Sequence, residues 1–192
     1  MLPIVLASGS AYRAEVLRKL RVDFQVCSSH IDETPLPGES AENLVQRLSL
    51  SKAQAISTRY PNHLIIGSDQ LAVCGGQFLN KPGDKPRAIQ QLKTQAGRAV
   101  KFYTGICVLN SASRHYLDDI DICTTHFKAL SDSQIERYLD LEQPYDCAGS
   151  FKSEGLGIAL FSKITGDDPN ALIGLPLIKL IDLLKQFSVE VI

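Results

Sequence analysis

The stretch His63–Cys74, "HLIIGSDQLAVC", constrains this chain most. Its apolar residues, two of them isoleucine, read as a buried strand. Where they give way to Gly67, Ser68, Asp69 and Gln70, a carboxylate arrives at the strand's polar end. A buried carboxylate needs a partner, and a cation suits it best. Further strands are expected at "PIVLAS" (3–8) and "FQVCS" (24–28). Ser10 caps a helix over "AYRAEVLRKL", with Val16, Leu17 and Leu20 on one face. Ser40 caps a longer helix that runs to about Tyr60 before Pro61 and Asn62 break it. Gly75-Gly76 forms a hairpin turn. "KPRAIQQLKTQAG" is a helix ended by Gly97.

Further on, "AVKFYTGICVLN" and "YLDDIDICTTHFKAL" are expected to pair antiparallel across "SASRH", with alternation around Phe102, Ile120 and Ile122. Ser131 and Gln134 open a helix with a capping box. "YDCAGSF" and "LGIALFSKI" are further strand candidates. "GDDPNALIG" is a loop, and Pro176 starts a last helix carrying Leu177, Leu180, Ile181 and Leu184. Strands and helices alternate first, and antiparallel strands intrude later. The expected fold is α/β, a single domain over residues 1–192 with a mixed β-sheet flanked by helices.

The formal net charge of -1 offers no global field for nucleic acid, so none is expected as a partner. The five cysteines are widely spaced and form no C-x-x-C pair, which argues against a zinc site and for small core residues in a reducing compartment. "MLPIVLAS" lacks a basic lead-in, and no apolar run nears the roughly 20 residues that span a bilayer. A cytoplasmic protein without a membrane partner is expected.

Several short motifs carry chemistry, each with a plainer alternative. "ASGSAYR" delivers Ser8, Ser10 and Arg13 to a helix N-terminus, where free N–H groups favour an anion; the plain alternative is a capped helix. Asp32 and Glu33 in "IDETP" offer hard oxygen ligands for a divalent cation, or a solvated acidic turn. Lys52 lies near the apolar stripe of its helix and either snorkels to the edge or enters a polar cleft. Lys81, held extended before Pro82, is a phosphate contact or a turn lysine. Lys152 and Glu154 stand among Gly149, Gly155 and Gly157, which suits a flat ligand or an exposed hairpin. "TGDDPN" is most simply a turn plus a helix cap. These cations and carboxylates, with no evident nucleophile, suit hydrolysis of a nucleotide phosphate by metal-activated water.

In order and spacing, "LASGSAYR", "DET", "SKA", "LIIGSDQ", "NKP", "FYTG", "CAGSFKSEGLG", "DDPN" and "GLPL" resemble the Maf-like nucleotide pyrophosphatases over nearly the whole chain. Gln70 and "AGSFKSEG" look like the subgroup acting on 7-methyl-GTP. A subgroup acting on dTTP and UTP would show threonine after the aspartate and glutamine in the "KSEG" region. The resemblance implies a twisted sheet like that of inosine triphosphate pyrophosphatases. It also implies hydrolysis between the α and β phosphates with a divalent cation, Mg²⁺ or Mn²⁺, and it leaves room for a homodimer. By the same resemblance, Asp69 is the proton acceptor, and Glu33 and Asp69 are the acidic cluster at the metal. Ser8, Arg13, Lys52 and Lys81 contact phosphate. Tyr12, Gln70 and Glu154 tune substrate choice. The family's first motif usually reads S-x-S-P-x-R-R; here Ala11 replaces the proline and Ala14 the second arginine. Such an enzyme would keep modified nucleotides out of nucleic acids. The alternatives are the same reaction on dTTP, UTP or other non-standard nucleotides, and a non-catalytic nucleotide-binding regulator of cell division.

Overall fold

The computed structural model describes residues 2–192. They form two compact units: residues 2–70, 104–121 and 168–192 make the first, and residues 71–103 and 122–167 the second. Three long strands, β3 (Leu64–Cys74), β5 (Ala99–Asn110) and β6 (Tyr116–Phe127), contribute residues to both.

In the first unit, β1 (Ile4–Leu6) pairs in parallel with β2 (Phe24–Val26) and with β3, in register Ile4↔Phe24 and Ile4↔Leu64. Parallel neighbours need crossover helices. These are α1 (Ala11–Arg18) and α2 (Ala41–Ala55), capped by Ser10 and Ser40 as their sequences predict. Strand alternation splits the core by face. Ile4, Leu6, Leu64, Ile66, Ile106 and Val108 pack against α1 and against α5 (Leu177–Gln186). Val5, Ala7, Ile65, Cys107 and Leu109 face Ala53 of α2 and Ile56 just beyond it. A strand apolar on both faces therefore has a helix layer on each.

Helix α2 ends at Ala55, short of the expected Tyr60. Ser57 Oγ donates to the Gln54 carbonyl at 2.8 Å, and turns replace the last helical residues.

In the second unit, β4 (Gln77–Leu79) pairs antiparallel with β3 across Gly75-Gly76, both at positive φ. Helices α3 (Lys85–Gln95) and α4 (Asp132–Glu142) pack on each other, and α4 carries the predicted capping box. Strand β7 (Phe161–Thr165) pairs antiparallel with β6. Phe102, Phe127, Phe151 and Phe161 interlock edge to face.

The β5–β6 pair is antiparallel, with hydrogen bonds Asn110 N→His115 O at one end and Phe127 N→Arg98 O at the other. Two strand expectations are corrected. "YDCAGSF" forms a short 3₁₀ turn, because Gly149 and Ser150 take left-handed φ values of 76° and 63° that a strand cannot hold. "LGIALFSKI" is 3₁₀ over Leu156–Leu160, and only the remainder is strand. In β6, Ile122 is exposed while Asp121 and Cys123 are buried. The period of two holds, but Cys123, Thr125 and Phe127 set its inner face.

Candidate active site

Asp69 lies in the middle of β3, not at its end; the strand runs on to Cys74. It shares a strand face with Ile65 and Gly67, the face covered by α2. A Cβ on Gly67 would lie 2.0 Å from the Ser49 carbonyl oxygen of α2, and one on Gly105 would lie 2.4 Å from that of Val45. Helix and strands thus meet backbone to backbone, which only glycine allows. One turn beyond Ser49, Lys52 reaches the strand. Its Nζ donates to Asp69 Oδ1 at 2.6 Å and also lies 2.7 Å from Glu33 Oε1. Lys52 and Asp69 are 5% and 7% exposed, whereas the Glu33 side chain is 57% exposed. Lys52 therefore enters a polar cleft and does not snorkel.

At the start of α1, Ser8 is buried and its Oγ accepts from Ser10 N at 3.1 Å, while Ser10 Oγ accepts from Arg13 N. Arg13 Nε donates to the Gly174 carbonyl at 2.8 Å. Burial lowers the Arg13 guanidinium below its usual pKa, and the charges of Asp69 and Glu33 pull it back up. Ala14 is buried against the core.

Gln70 and Ser68 project from the opposite strand face. Gln70 Nε2 donates to the carbonyls of Ala171 and Leu172 at 2.8 and 3.1 Å and to Thr104 Oγ1 at 3.1 Å. Thr104 Oγ1 itself donates to Ala171 O, so the Gln70 amide nitrogen is fixed against acceptors. Ser68 Oγ lies 2.9 Å from Gly174 O. Asp168 binds Asn170 and caps α5 through Ile178 N at 2.7 Å, as the turn-plus-cap reading of "TGDDPN" predicts. Strand β3 thus holds a carboxylate on one face and anchors the 168–174 loop on the other.

Tyr12 is half-buried on α1. Lys81 and Glu154 belong to the second unit. Lys81 lines an open cleft with Asn80, Pro82, Arg87 and Gln90. Glu154 is exposed on a loop tied down by Gln95 Nε2→Gly149 O, Lys152 N→Tyr138 Oη and Leu156 N→Glu142 Oε2. Sequence reasoning missed Ser68, Thr104, Glu39 and Arg47. Ser68 and Thr104 bond residues far apart in the chain, and the Glu39–Arg47 pair joins a loop to a helix eight residues on, a spacing with no motif of its own.

The family model described as Maf-like protein matches residues 3–187. The chain belongs to the Maf-like family. A 7-methyl-GTP pyrophosphatase of Pseudomonas aeruginosa is 52% identical over 188 residues, 98% of either chain. One of Colwellia psychrerythraea is 50% identical over 192 residues, covering all of this chain and 96% of its own. Among solved structures, the Staphylococcus aureus Ham1 protein aligns with a TM-score of 0.46 at 15% identity, covering 66% of this chain and 72% of its own. In this Maf-like protein, Asp69, Lys52 and Arg13 all belong to the first unit.

Proposed function

We propose that this Maf-like protein is a nucleoside triphosphate pyrophosphatase that hydrolyses 7-methyl-GTP to 7-methyl-GMP and pyrophosphate. The observation that carries this reading is Lys52, held between Asp69 and Glu33. The names of relatives about half identical over nearly the full chain support the substrate. Free nucleotides in the cytoplasm, not a nucleic acid chain, are the proposed targets.

Water attacks the α-phosphorus in line, and the bond to the bridging α–β oxygen breaks. Asp69 accepts the water's proton. Lys52 and Arg13 offset charge on the phosphate oxygens, and Lys81 is kept as a candidate phosphate contact. Ser8 and the N-terminus of α1 supply further donors to phosphate. The site's donor chemistry suits Mg²⁺ or Mn²⁺: Asp69 and Glu33 are hard carboxylates that already share one cation, the Lys52 ammonium. Those two residues would hold the ion, which would supply charge neutralisation at the phosphates.

N7 methylation makes the purine cationic. An aromatic face attracts such a cation by about 0.5–2 kcal/mol. Tyr12 is assigned that face, and Glu154 is kept as a candidate for tuning substrate choice. Gln70 is assigned an indirect role in base choice, through the Ala171–Leu172 backbone that it holds.

The test is pyrophosphate release from 7-methyl-GTP, GTP, dTTP and UTP with Mg²⁺, for wild type beside Asp69→Asn. Wild type should favour 7-methyl-GTP. The variant should stay folded, since Lys52 keeps Glu33 as a partner, while turnover falls by about 10²–10⁴-fold. A preference for dTTP or UTP would overturn the substrate, and full turnover by the variant would overturn the assignment of the base.

A further inference from the structure

Glu33 is a ligand to Lys52 that nothing packs in place, since more than half of its side chain is exposed. Its neighbours in the chain are fixed instead. Asp32 Oδ1 accepts from Thr34 N at 2.9 Å and from Thr34 Oγ1 at 2.6 Å, closing a tight turn around Glu33. The Thr34 carbonyl accepts from Arg47 Nη2 at 3.2 Å. Arg47 also makes a forked pair with Glu39, Nε to Oε1 at 2.6 Å and Nη2 to Oε2 at 2.8 Å. Glu39 Oε2 in turn accepts from Leu36 N at 2.9 Å. This is no loose surface pair: the Glu39 side chain is 7% exposed. The Arg47 hydrogen bonds lower the Glu39 carboxyl to about 2, so the pair stays charged at neutral pH.

Arg47 and Lys52 sit on the same helix, five residues apart. The middle of α2 therefore grips the loop backbone, and a side chain just over one turn further along meets the loop's carboxylate. We propose that Arg47 and Glu39 are a positioning pair that clamps the 32–39 loop so that Glu33 is presented to the site. Neither residue needs to touch substrate. The effect on turnover rests on the pyrophosphatase reading; the clamp itself does not. Misplacing a site group by about 1 Å can cost on the order of 100-fold in rate.

The experiment compares wild type, Arg47→Ala, Arg47→Lys and Glu39→Gln in hydrogen–deuterium exchange and in 7-methyl-GTP turnover with Mg²⁺. Arg47→Ala should speed exchange in residues 30–39 while α1, α5 and β3 exchange as in wild type. Turnover should fall about 10- to 100-fold. Arg47→Lys keeps the charge and loses the fork, so it should fall between the two. Unchanged exchange in the loop overturns the clamp. So does loosening that spreads through α2 and β3 with a lowered melting temperature, which marks a general structural role. A loosened loop with wild-type turnover removes the positioning role. Should Arg47→Ala fail to fold, Glu39→Gln carries the same comparison. A wild type inactive on every nucleotide defeats the pyrophosphatase reading, and the exchange data alone then decide the clamp.

Discussion

Lys52 is paired with two carboxylates in very different surroundings. Asp69 is buried and Glu33 is open to solvent. Removing the ammonium leaves the Asp69 charge enclosed without its cation, whereas Glu33 can turn to water. Breaking one side of a buried pair costs about 3–5 kcal/mol, while replacing both partners by neutral groups costs far less. Lys52→Met should therefore lower the free energy of unfolding by about 3 kcal/mol in urea titration, and adding Asp69→Asn should recover much of that loss. A double variant no more stable than Lys52→Met would refute this account of the pair. The sequence placed Lys52 next to an apolar stripe and Asp69 in an apolar strand. It could not tell a snorkelling lysine from one aimed inward, because that depends on how far α2 stands from β3.

That spacing is a property of the elements. Gly67 and Gly105 let α2 rest on the sheet with no side chain between. Gly67→Ala would push a methyl group into the Ser49 carbonyl and force α2 outward, carrying Lys52 and Arg47 with it. Overpacking of this kind costs about 1–3 kcal/mol. The variant should melt earlier and also lose turnover, although residue 67 contacts neither Lys52 nor Glu33 through a side chain. Wild-type turnover in a folded Gly67→Ala protein would show that the approach is not needed. The caps at Ser10, Ser40 and Ser131 were legible because capping is local chemistry. The buried face of β6 and the turn at Gly149–Ser150 were not. A period of two does not say which parity is inside, and a left-handed φ at Ser150 leaves no mark in composition.

Over the whole molecule, the alternation of strands and helices made the α/β architecture readable from the sequence, and the family motifs pointed to the acid–lysine–arginine group. The loop anchors at Ser68, Gln70 and Thr104 needed the fold, since their partners lie 34 to 106 residues away. The cysteines read as core residues, and Cys27, Cys74, Cys107 and Cys123 are indeed buried. Burial pushes the Cys107 thiol up to about 12, and burial followed by the Asp146 charge does the same for Cys147. A thiol raised in this way is not the reactive thiolate at pH 8. In the native protein at pH 8, Cys107 and Cys147 should resist a disulfide reagent that titrates all five thiols in guanidinium; fast native labelling of either would contradict this. The glycine seat beneath α2 also bears on how such proteins are surveyed. A scan of every substitution would record positions 67 and 105 as intolerant as Asp69, although they offer no functional group. Maps of the catalytic centre drawn from mutational intolerance alone would therefore be too large, and their excess would trace the footprint of a helix.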